Sequence, residues 1–196
     1  MDLYEAIERR RTIRVFKSAA TDEQLKRLIL AGTKAPSAVN RQPWEFVHVD
    51  DSALIEQIAH IKYELTMKNA LGPFEGVEAL KKRALDQKDS FKNASIVAVC
   101  NQVEWERSVW MCMENISLAA VAEGLGSGIV LFWDEEKHMV GQLLGLPQDV
   151  EVTAIMKIGI PAEQGFERNK NPYAPRRPEF SWLHRNGFEK KWPVNS

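Results

Sequence analysis

The chain has 196 residues, which suits one domain with a sizeable core, and a cofactor or second subunit could supply part of its stability. Lys and Arg number 26 against 27 Asp and Glu, a formal charge of −1, so no overall field favours nucleic acid or an anionic membrane. The apolar stretches are too short to span a bilayer, and the N-terminus lacks the apolar core of a signal peptide. We therefore expect a soluble, cytoplasmic protein that contacts neither nucleic acid nor membrane.

The first predicted elements are two helices separated by a basic segment. Asp2 can cap a first helix that the arginines end, and the spacing of Thr21 and Gln24 is that of a capping box for a second helix. Between them, residues 9–16 have the sequence Arg-Arg-Arg-Thr-Ile-Arg-Val-Phe. The arginines therefore leave a helix end and enter a loop.

Strands and helices alternate along the middle of the chain. The patterns predict strands at 44–49, 95–100, 129–133 and 152–160, and helices through 52–61, 108–123 and 135–144. The run 95–100 is almost continuously apolar, which is typical of a strand covered on both faces in the middle of a sheet. The alternation alone favours a parallel, doubly wound sheet.

Two stretches lack a regular pattern. Residues 67–93 combine Gly72, Pro73 and Gly76 with weakly patterned charged sequence, so we predict an excursion or lid. Residues 161–196 contain five prolines and several large aromatic side chains, which makes them too apolar for a solvated tail. We expect this segment to pack on another surface.

The residue types that usually hold metals or build a catalytic triad give no signal. Cys100 and Cys112 lie inside apolar segments without metal-ligand spacing, so we expect two reduced core residues. The four histidines show neither i, i+4 nor His-x-His spacing, which argues against a zinc or di-iron site. We predict no metal and no protein nucleophile.

Two strings are more specific than their composition. One is the basic segment 9–16, and the other covers residues 35–46, Ala-Pro-Ser-Ala-Val-Asn-Arg-Gln-Pro-Trp-Glu-Phe, which lead into a strand. Taken singly, they fit a solvated basic helix end and a polar turn whose Asn and Gln serve turn geometry. Together they resemble the signature of the nitroreductase family, which holds FMN between two subunits. Residues 114–126 likewise resemble the family's long dimer-core helix and its Gly-Leu-Gly exit.

The resemblance implies a fold different from the doubly wound one. Nitroreductase-like proteins have an α+β fold with a mostly antiparallel central sheet flanked by helices, and they form intertwined homodimers with exchanged C-terminal arms. The whole chain, 1–196, would be one such domain, with 67–93 as a variable lid and 161–196 as the dimer arm. A monomer would leave the aromatic rings of that arm in water.

The resemblance also assigns the phosphate end of FMN to both ends of the chain. Four arginines within six residues repel one another, so a bound polyanion explains why they are held together. The C-terminal basic pair would close over the phosphate as the family's Arg-x-Pro does, although the family's preceding lysine is Ala174 here. The residues implied at this end are Arg10, Arg11, Thr12, Arg176 and Arg177.

At the ring end, the resemblance places Arg14 at the N1/O2 edge, where its guanidinium would stabilise the negative charge of the reduced flavin. The residues implied at the pyrimidine edge and ribityl chain, from the other subunit, are Pro36, Ser37, Ala38, Asn40 and Gln42. The backbone implied to face flavin N5 belongs to Val130, Leu131 and Phe132. Many family members have glycines at this last position, so the bulky side chains here imply a narrower pocket.

The activity implied is that of a homodimeric FMN oxidoreductase with ping-pong chemistry. NADH or NADPH donates hydride to the flavin and leaves, and a small electron-poor acceptor, such as a nitroaromatic or quinone, takes its place. Reductive dehalogenation and flavin fragmentation are sister activities on this fold. Two other hypotheses stay open: a flavin-binding or sensing protein whose Leu131 and Phe132 block the acceptor, and a dimeric scaffold without cofactor.

Overall fold

The structure, a computed structural model, describes residues 1–69, 76–162, 177–178 and 181–190. The helices in these ranges are α1 (Leu3–Arg9), α2 (Asp22–Gly32), α3 (Ser52–Lys68), α4 (Gly76–Asp89), α5 (Glu106–Ala122) and α6 (Asp134–Leu143), and a short 3-10 turn covers Ala38–Asn40. The strands are β1 (Phe16–Ala19), β2 (Trp44–Val49), β3 (Ser95–Gln102), β4 (Gly126–Val130) and β5 (Val150–Pro161). None of these helices is both long and apolar enough to cross a membrane.

The strands form one antiparallel sheet. β3 lies between β2 and β5, and the other edge of β5 pairs with β4. Near its C-terminal end, β5 also pairs with β1, so that Gly159 has Ala19 of β1 and Gly126 of β4 as partners. Val49 at the end of β2 is opposite Ile96 at the start of β3, because α3 and α4 return the chain to the end of the sheet that it left. The predicted α+β fold with an antiparallel sheet is confirmed, and the parallel sheet that the alternation favoured is wrong.

Helices cover both faces of the sheet. On one face, Val97 and Val99 of β3 pack in a core with Met113 of α5. On the other face, Ile96 and Ala98 pack in a second core, together with α3 side chains. The central, doubly covered strand predicted at 95–100 is therefore confirmed.

The two cysteines are buried, one in each core. Burial raises the pKa of both the Cys100 and the Cys112 thiol to about 12, so neither forms the reactive thiolate near neutral pH. We expect no reaction of the folded protein with an aromatic disulfide reagent at about pH 8, and reaction of both thiols after denaturation. Release of one equivalent of thiolate dye by the folded protein would contradict this placement.

The two predicted helix caps, Asp2 and the Thr21–Gln24 capping box, are confirmed, and a third cap starts α3. Asp2 accepts from the Glu5 backbone N–H at 2.9 Å. Thr21 and Gln24 form the full capping box, because Gln24 N donates to Thr21 Oγ1 at 3.2 Å and Thr21 N donates to Gln24 Oε1 at 2.9 Å. Asp51 caps α3 through the N–H groups of the next turn.

Three parts of the chain differ from the sequence prediction or lie outside the described ranges. Residues 76–89 form α4, which the sequence pattern missed because only Ala84 of this helix is buried. The strand predicted at 129–133 lies at 126–130 instead, because pairing with β5 outweighs the low strand propensity of its glycines. Of the predicted arm 161–196, the structure describes 161–162, 177–178 and 181–190, and Phe188 in this last range is exposed.

Candidate active site

The basic segment is fixed along β4. Ile13 N donates to Ser127 O at 2.8 Å, and Thr12 forms a parallel bridge with Ser127. Gly128 makes this approach possible, because a Cβ at that position would overlap the carbonyl oxygen of Ile13. The glycines that weaken β4 as a strand thus bring the basic segment against it.

The arginines of the segment have separate environments. Arg11 donates to the backbone carbonyls of Glu8 and Arg10 and so caps the C-terminus of α1. Arg10 is half-buried, with its Nε 3.8 Å from Glu114 Oε1, and Arg14 is exposed. Arg9 is exposed and pairs with Glu5 within α1, and the guanidinium of Arg11 already holds a helix end. Arg10 and Arg14 are therefore the cations of this segment that have no strong partner of this kind.

A lysine of α3 contacts the backbone just after β4 ends. Lys62 Nζ donates to Leu131 O at 3.1 Å and lies 5.9 Å from the ring centroid of Phe132 and 5.6 Å from that of Trp133. The Phe132 side chain is 5% exposed and packs in the core with Val130. Phe132 therefore points into the core, and Leu131 is the bulky side chain left at the strand exit.

A cavity of about 230 Å³ lies between α3, α4 and the exit of β4. The polar residues that line it are Lys62, Thr66, Asn69, Arg83 and Gln87, and the apolar side is lined by Leu65, Ile129, Val130, Leu131 and Trp133. This volume is below that of a typical site for a whole cofactor or drug-sized ligand, so the cavity suits one part of a ligand. The region predicted as a lid supplies one of its walls.

A second lysine is buried next to the basic segment. Lys157 of β5 is opposite Gly128 in the sheet, donates to Ser90 Oγ, and lies 5.5 Å from the ring centroid of Phe91. Burial, and then the charges of Arg14 and Lys62, lower the pKa of Lys157 to about 7. Burial also lowers the pKa of Lys62. Basic side chains from three elements, Arg14, Lys62 and Lys157, are therefore close enough around β4 to act on one another.

Sequence reasoning missed both lysines. Lys157 had a signal, because it is the one charged residue in the mostly apolar run 152–160. Lys62 follows Ile61 and lies one helical turn from Ile58, so it belongs to the buried side of α3. In each case the partner of the lysine is remote in sequence. The partner of Lys62, for example, is the carbonyl of Leu131.

The turn before β2 is held by its own side chains. Ser37 Oγ accepts from Gln42 N at 2.9 Å, and Gln42 Nε2 donates to Asn40 O at 3.3 Å. Val39 and Asn40 have φ of 49° and 56°, a left-handed conformation that costs a β-branched residue most. Ser37 and Gln42 thus serve the turn geometry. Of the predicted contact residues in this turn, Pro36, Ala38, Asn40 and Gln42 are exposed and Ser37 is partly buried.

The turn and the basic segment do not meet within one chain. β2 is at one edge of the sheet and β4 is on the far side of β3 and β5, so about three strand spacings, roughly 14 Å, separate them. Arg177 is exposed, and Arg176 lies outside the described residues. One chain therefore gathers the basic segment, the β4 exit and the two lysines, and the turn lies elsewhere.

Comparison with known proteins identifies the family. The profile of the Nitroreductase family matches residues 7–160, which cover the basic segment, the turn and all five strands apart from the last residue of β5. The chain belongs to the nitroreductase family. This nitroreductase-family chain is an oxidoreductase.

Relatives with known names span several activities. The NADH dehydrogenase of Thermus thermophilus is 28% identical in an alignment of 192 positions that covers 88% of this chain and 93% of the relative. The 5,6-dimethylbenzimidazole synthase of Rhodobacter capsulatus is 30% identical in an alignment of 174 positions that covers 81% of this chain and 83% of the relative. The FMN and NADPH-dependent nitroreductase NfnB from Sphigopyxis sp. strain HMH has a TM-score of 0.74 at 20% identity, covers 96% of this chain and 100% of its own, and shares the fold.

Proposed function

We propose that this protein is a homodimer that passes hydride from NADH or NADPH to an electron-poor organic acceptor, nitroaromatic or quinone-like, by a ping-pong mechanism. As a member of the nitroreductase family it uses FMN, with NAD(P)H as the electron donor. FMN supplies the hydride chemistry when bound, so the chain has to bind, orient and electrostatically stabilise it. The observation that carries the proposal is the fixation of the basic segment on Ser127 of β4, where Arg14 and Lys62 are the charges that act on the buried Lys157.

The described residues fit a cofactor with an anionic tail and a ring that gains negative charge. Arg10 and Arg14 are four residues apart in a non-helical segment, so their Cα atoms can be up to about 13 Å apart, enough to serve both ends of one FMN. We assign the phosphate and ribityl oxygens to Arg10 and Thr12, and the N1/O2 edge to Arg14. Arg11 contributes charge from its place on the end of α1, and Arg176 and Arg177 close over the phosphate.

The separation of the turn from the basic segment supports a site shared by two subunits. The turn of the second copy supplies Ser37, Asn40 and their neighbours to the pyrimidine edge, with 1–196 as one domain and 161–196 as its dimer arm. Helix α1 packs on α5, and the two helices expose large apolar side chains, which are Leu3, Tyr4, Ile7, Trp110 and Met111. A second copy that covers this surface removes it from water.

The strand exit supports turnover rather than flavin storage. A binding protein with little turnover requires Leu131 and Phe132 to block the space above the ring. Phe132 is buried in the core and only Leu131 lines the cavity, which leaves room for part of an acceptor against the α3 and α4 wall. Backbone groups at 130–132 remain our proposal for the N5 contact.

The experiment that tests this function is stopped-flow reduction of the purified protein with NADH and NADPH under nitrogen. We expect bleaching of the yellow flavin within about 0.1 s with the preferred donor, followed by recovery when a nitroaromatic or a quinone is added. A flavin that stays oxidised would favour the sensing alternative. A colourless protein that cannot be reconstituted with FMN would favour the scaffold without cofactor.

A further inference from the structure

Lys157 is a buried lysine without a carboxylate partner in the ranges that the structure describes. Its residue is 2% exposed, and its ammonium group has the hydroxyl of Ser90 and the ring face of Phe91 as contacts. A buried ammonium group is costly unless it is paired with a negative group. The charged form of Lys157 therefore lacks its usual compensation.

No element packed against Lys157 brings a negative group to it among the described residues. β3 contributes Ile96, β4 contributes Gly128, and the turn after α4 contributes Ser90 and Phe91, none of which is charged. The charged groups that act on Lys157 are Arg14 of the basic segment and Lys62 of α3, and both are positive. Lys62 in turn feels Arg83 and, in the opposite direction, Glu136.

The position of Lys157 connects the two parts of the site that face the flavin ring in our proposal. Its Cε lies 3.4 Å from where a Cβ on Gly128 would be, directly beside the strand that carries the basic segment. Arg14, assigned to the N1/O2 edge, and Lys62, at the β4 exit, are both close enough to lower the proton affinity of Lys157. A negative charge on the reduced ring would therefore arise next to the Lys157 ammonium group, which has no negative partner among the described residues.

We propose that Lys157 Nζ takes up a proton from solvent when the FMN bound beside it is reduced, and releases that proton when the FMN is reoxidised. This inference rests on the proposed function. Oxidised FMN, NAD(P)H, the neutral Lys157 amine and one solvent proton give singly negative reduced FMN, NAD(P)⁺ and the Lys157 ammonium. Conversion of a nitro group to a nitroso group and water needs two electrons and two protons, which the hydride and the proton released by Lys157 together supply.

The sign of the pH dependence follows from the charges. With oxidised FMN the amine is neutral above its pKa of about 7. A negative charge about 6 Å away would raise its proton affinity on the order of a hundredfold at an effective dielectric constant of about 20. Between about pH 7 and about pH 9, the holoenzyme therefore takes up one proton more on reduction than the flavin ring alone would take up. Below about pH 7 Lys157 is charged in both states and adds no proton.

The test is a potentiometric titration of the holoenzyme between about pH 6 and about pH 9, which gives the protons bound per two electrons. We expect two protons for the wild type above about pH 7, and one for both Lys157→Met and Lys157→Arg. The potential should fall in Lys157→Met and rise in Lys157→Arg at about pH 9, because Met has no charge and Arg a permanent one. The control Lys92→Met, an exposed residue paired with Asp89, should match the wild type.

Each outcome decides between distinct failures. One proton throughout in a wild type that binds and reduces FMN overturns the role of Lys157 and leaves the proposed function standing. Failure to bind FMN overturns both. Should Lys157→Met not fold, nitrogen NMR of lysine-labelled wild type, with Lys157→Arg to assign the Nζ signal, must show a titration midpoint that rises when FMN is reduced; an unchanged midpoint also overturns the proposal.

Discussion

Replacing Gly128 with alanine will destabilise the folded protein by about 3 kcal/mol and lower its FMN content. The new Cβ would overlap the carbonyl oxygen of Ile13, a backbone atom that cannot move away as the end of a flexible side chain can. Lys157 Cε, at 3.4 Å on the same side, limits the movement of β4 in the other direction. The basic segment must therefore lift off Ser127. Urea unfolding measures the stability, and flavin absorbance of the purified protein measures the FMN content.

Gly141 offers the matched control for this substitution. It lies in α6, and a Cβ there would meet only Leu146 Cδ1, at an ordinary 3.8 Å. Gly141→Ala should leave the FMN content unchanged and stabilise the protein slightly, by about 0.5–1 kcal/mol, because alanine is the better helix former. Equal unfolding midpoints for the wild type and Gly128→Ala would show that the basic segment is not fixed against β4.

Replacing Arg10 with alanine will weaken FMN binding about a hundredfold, which corresponds to about 2.7 kcal/mol. The Arg10 guanidinium is half-buried, and its ion pair with Glu114 of α5 at 3.8 Å is too long and too exposed to hold it strongly. A phosphate dianion in the same place would gain a charge-assisted contact that alanine cannot make. Fluorescence titration of the apoprotein with FMN measures the change, which should shrink as salt is added.

Arg9 is the matched control for Arg10. It is exposed, and its guanidinium donates to Glu5 at 3.1 Å within α1. Arg9→Ala should leave FMN affinity within about twofold of the wild type and cost a few tenths of a kcal/mol in stability, about the value of one such helical ion pair. An equal loss of FMN affinity in both variants would show that the arginines act only through their summed positive charge. That result would contradict the assignment of Arg10 to the phosphate.

The sequence predicted those parts of the fold that depend on local chemistry. The capping box of Thr21 and Gln24 and the doubly covered strand at 95–100 require only neighbouring residues, and both are confirmed. Helix α4 was missed because a helix that buries little leaves no apolar period. The start of β4 was missed because Gly126, Ser127 and Gly128 form a strand only through their pairing with β5, which is remote in sequence.

The candidate site also has parts that the sequence could predict and parts that it could not. The basic segment and the turn could be found because each is a contiguous string in the sequence. Lys62 and Lys157 could not be assigned a role, because their contacts with Leu131 O and Ser90 Oγ join positions 69 and 67 residues apart. The burial of Phe132 is likewise a result of packing that the chemistry of its neighbours in sequence does not reveal.

The central claim is that one flavin site takes its basic segment from one subunit and its turn from the other. Two double variants test it. The first combines Arg10→Ala with Arg14→Ala, and the second combines Ser37→Asp with Asn40→Asp. Asp tolerates the left-handed φ of Asn40 and puts negative charge against the ring edge. Each variant alone should bind little FMN. A mixed dimer of the two has one intact and one doubly altered site.

After the two variants are mixed and refolded together, random pairing predicts FMN in about one quarter of all sites, a level that neither variant reaches alone. Flavin absorbance per chain in the dimer fraction gives that number directly. Mixed protein that binds no more FMN than its separate components, or a monomer that binds FMN stoichiometrically, would contradict a site shared between two subunits.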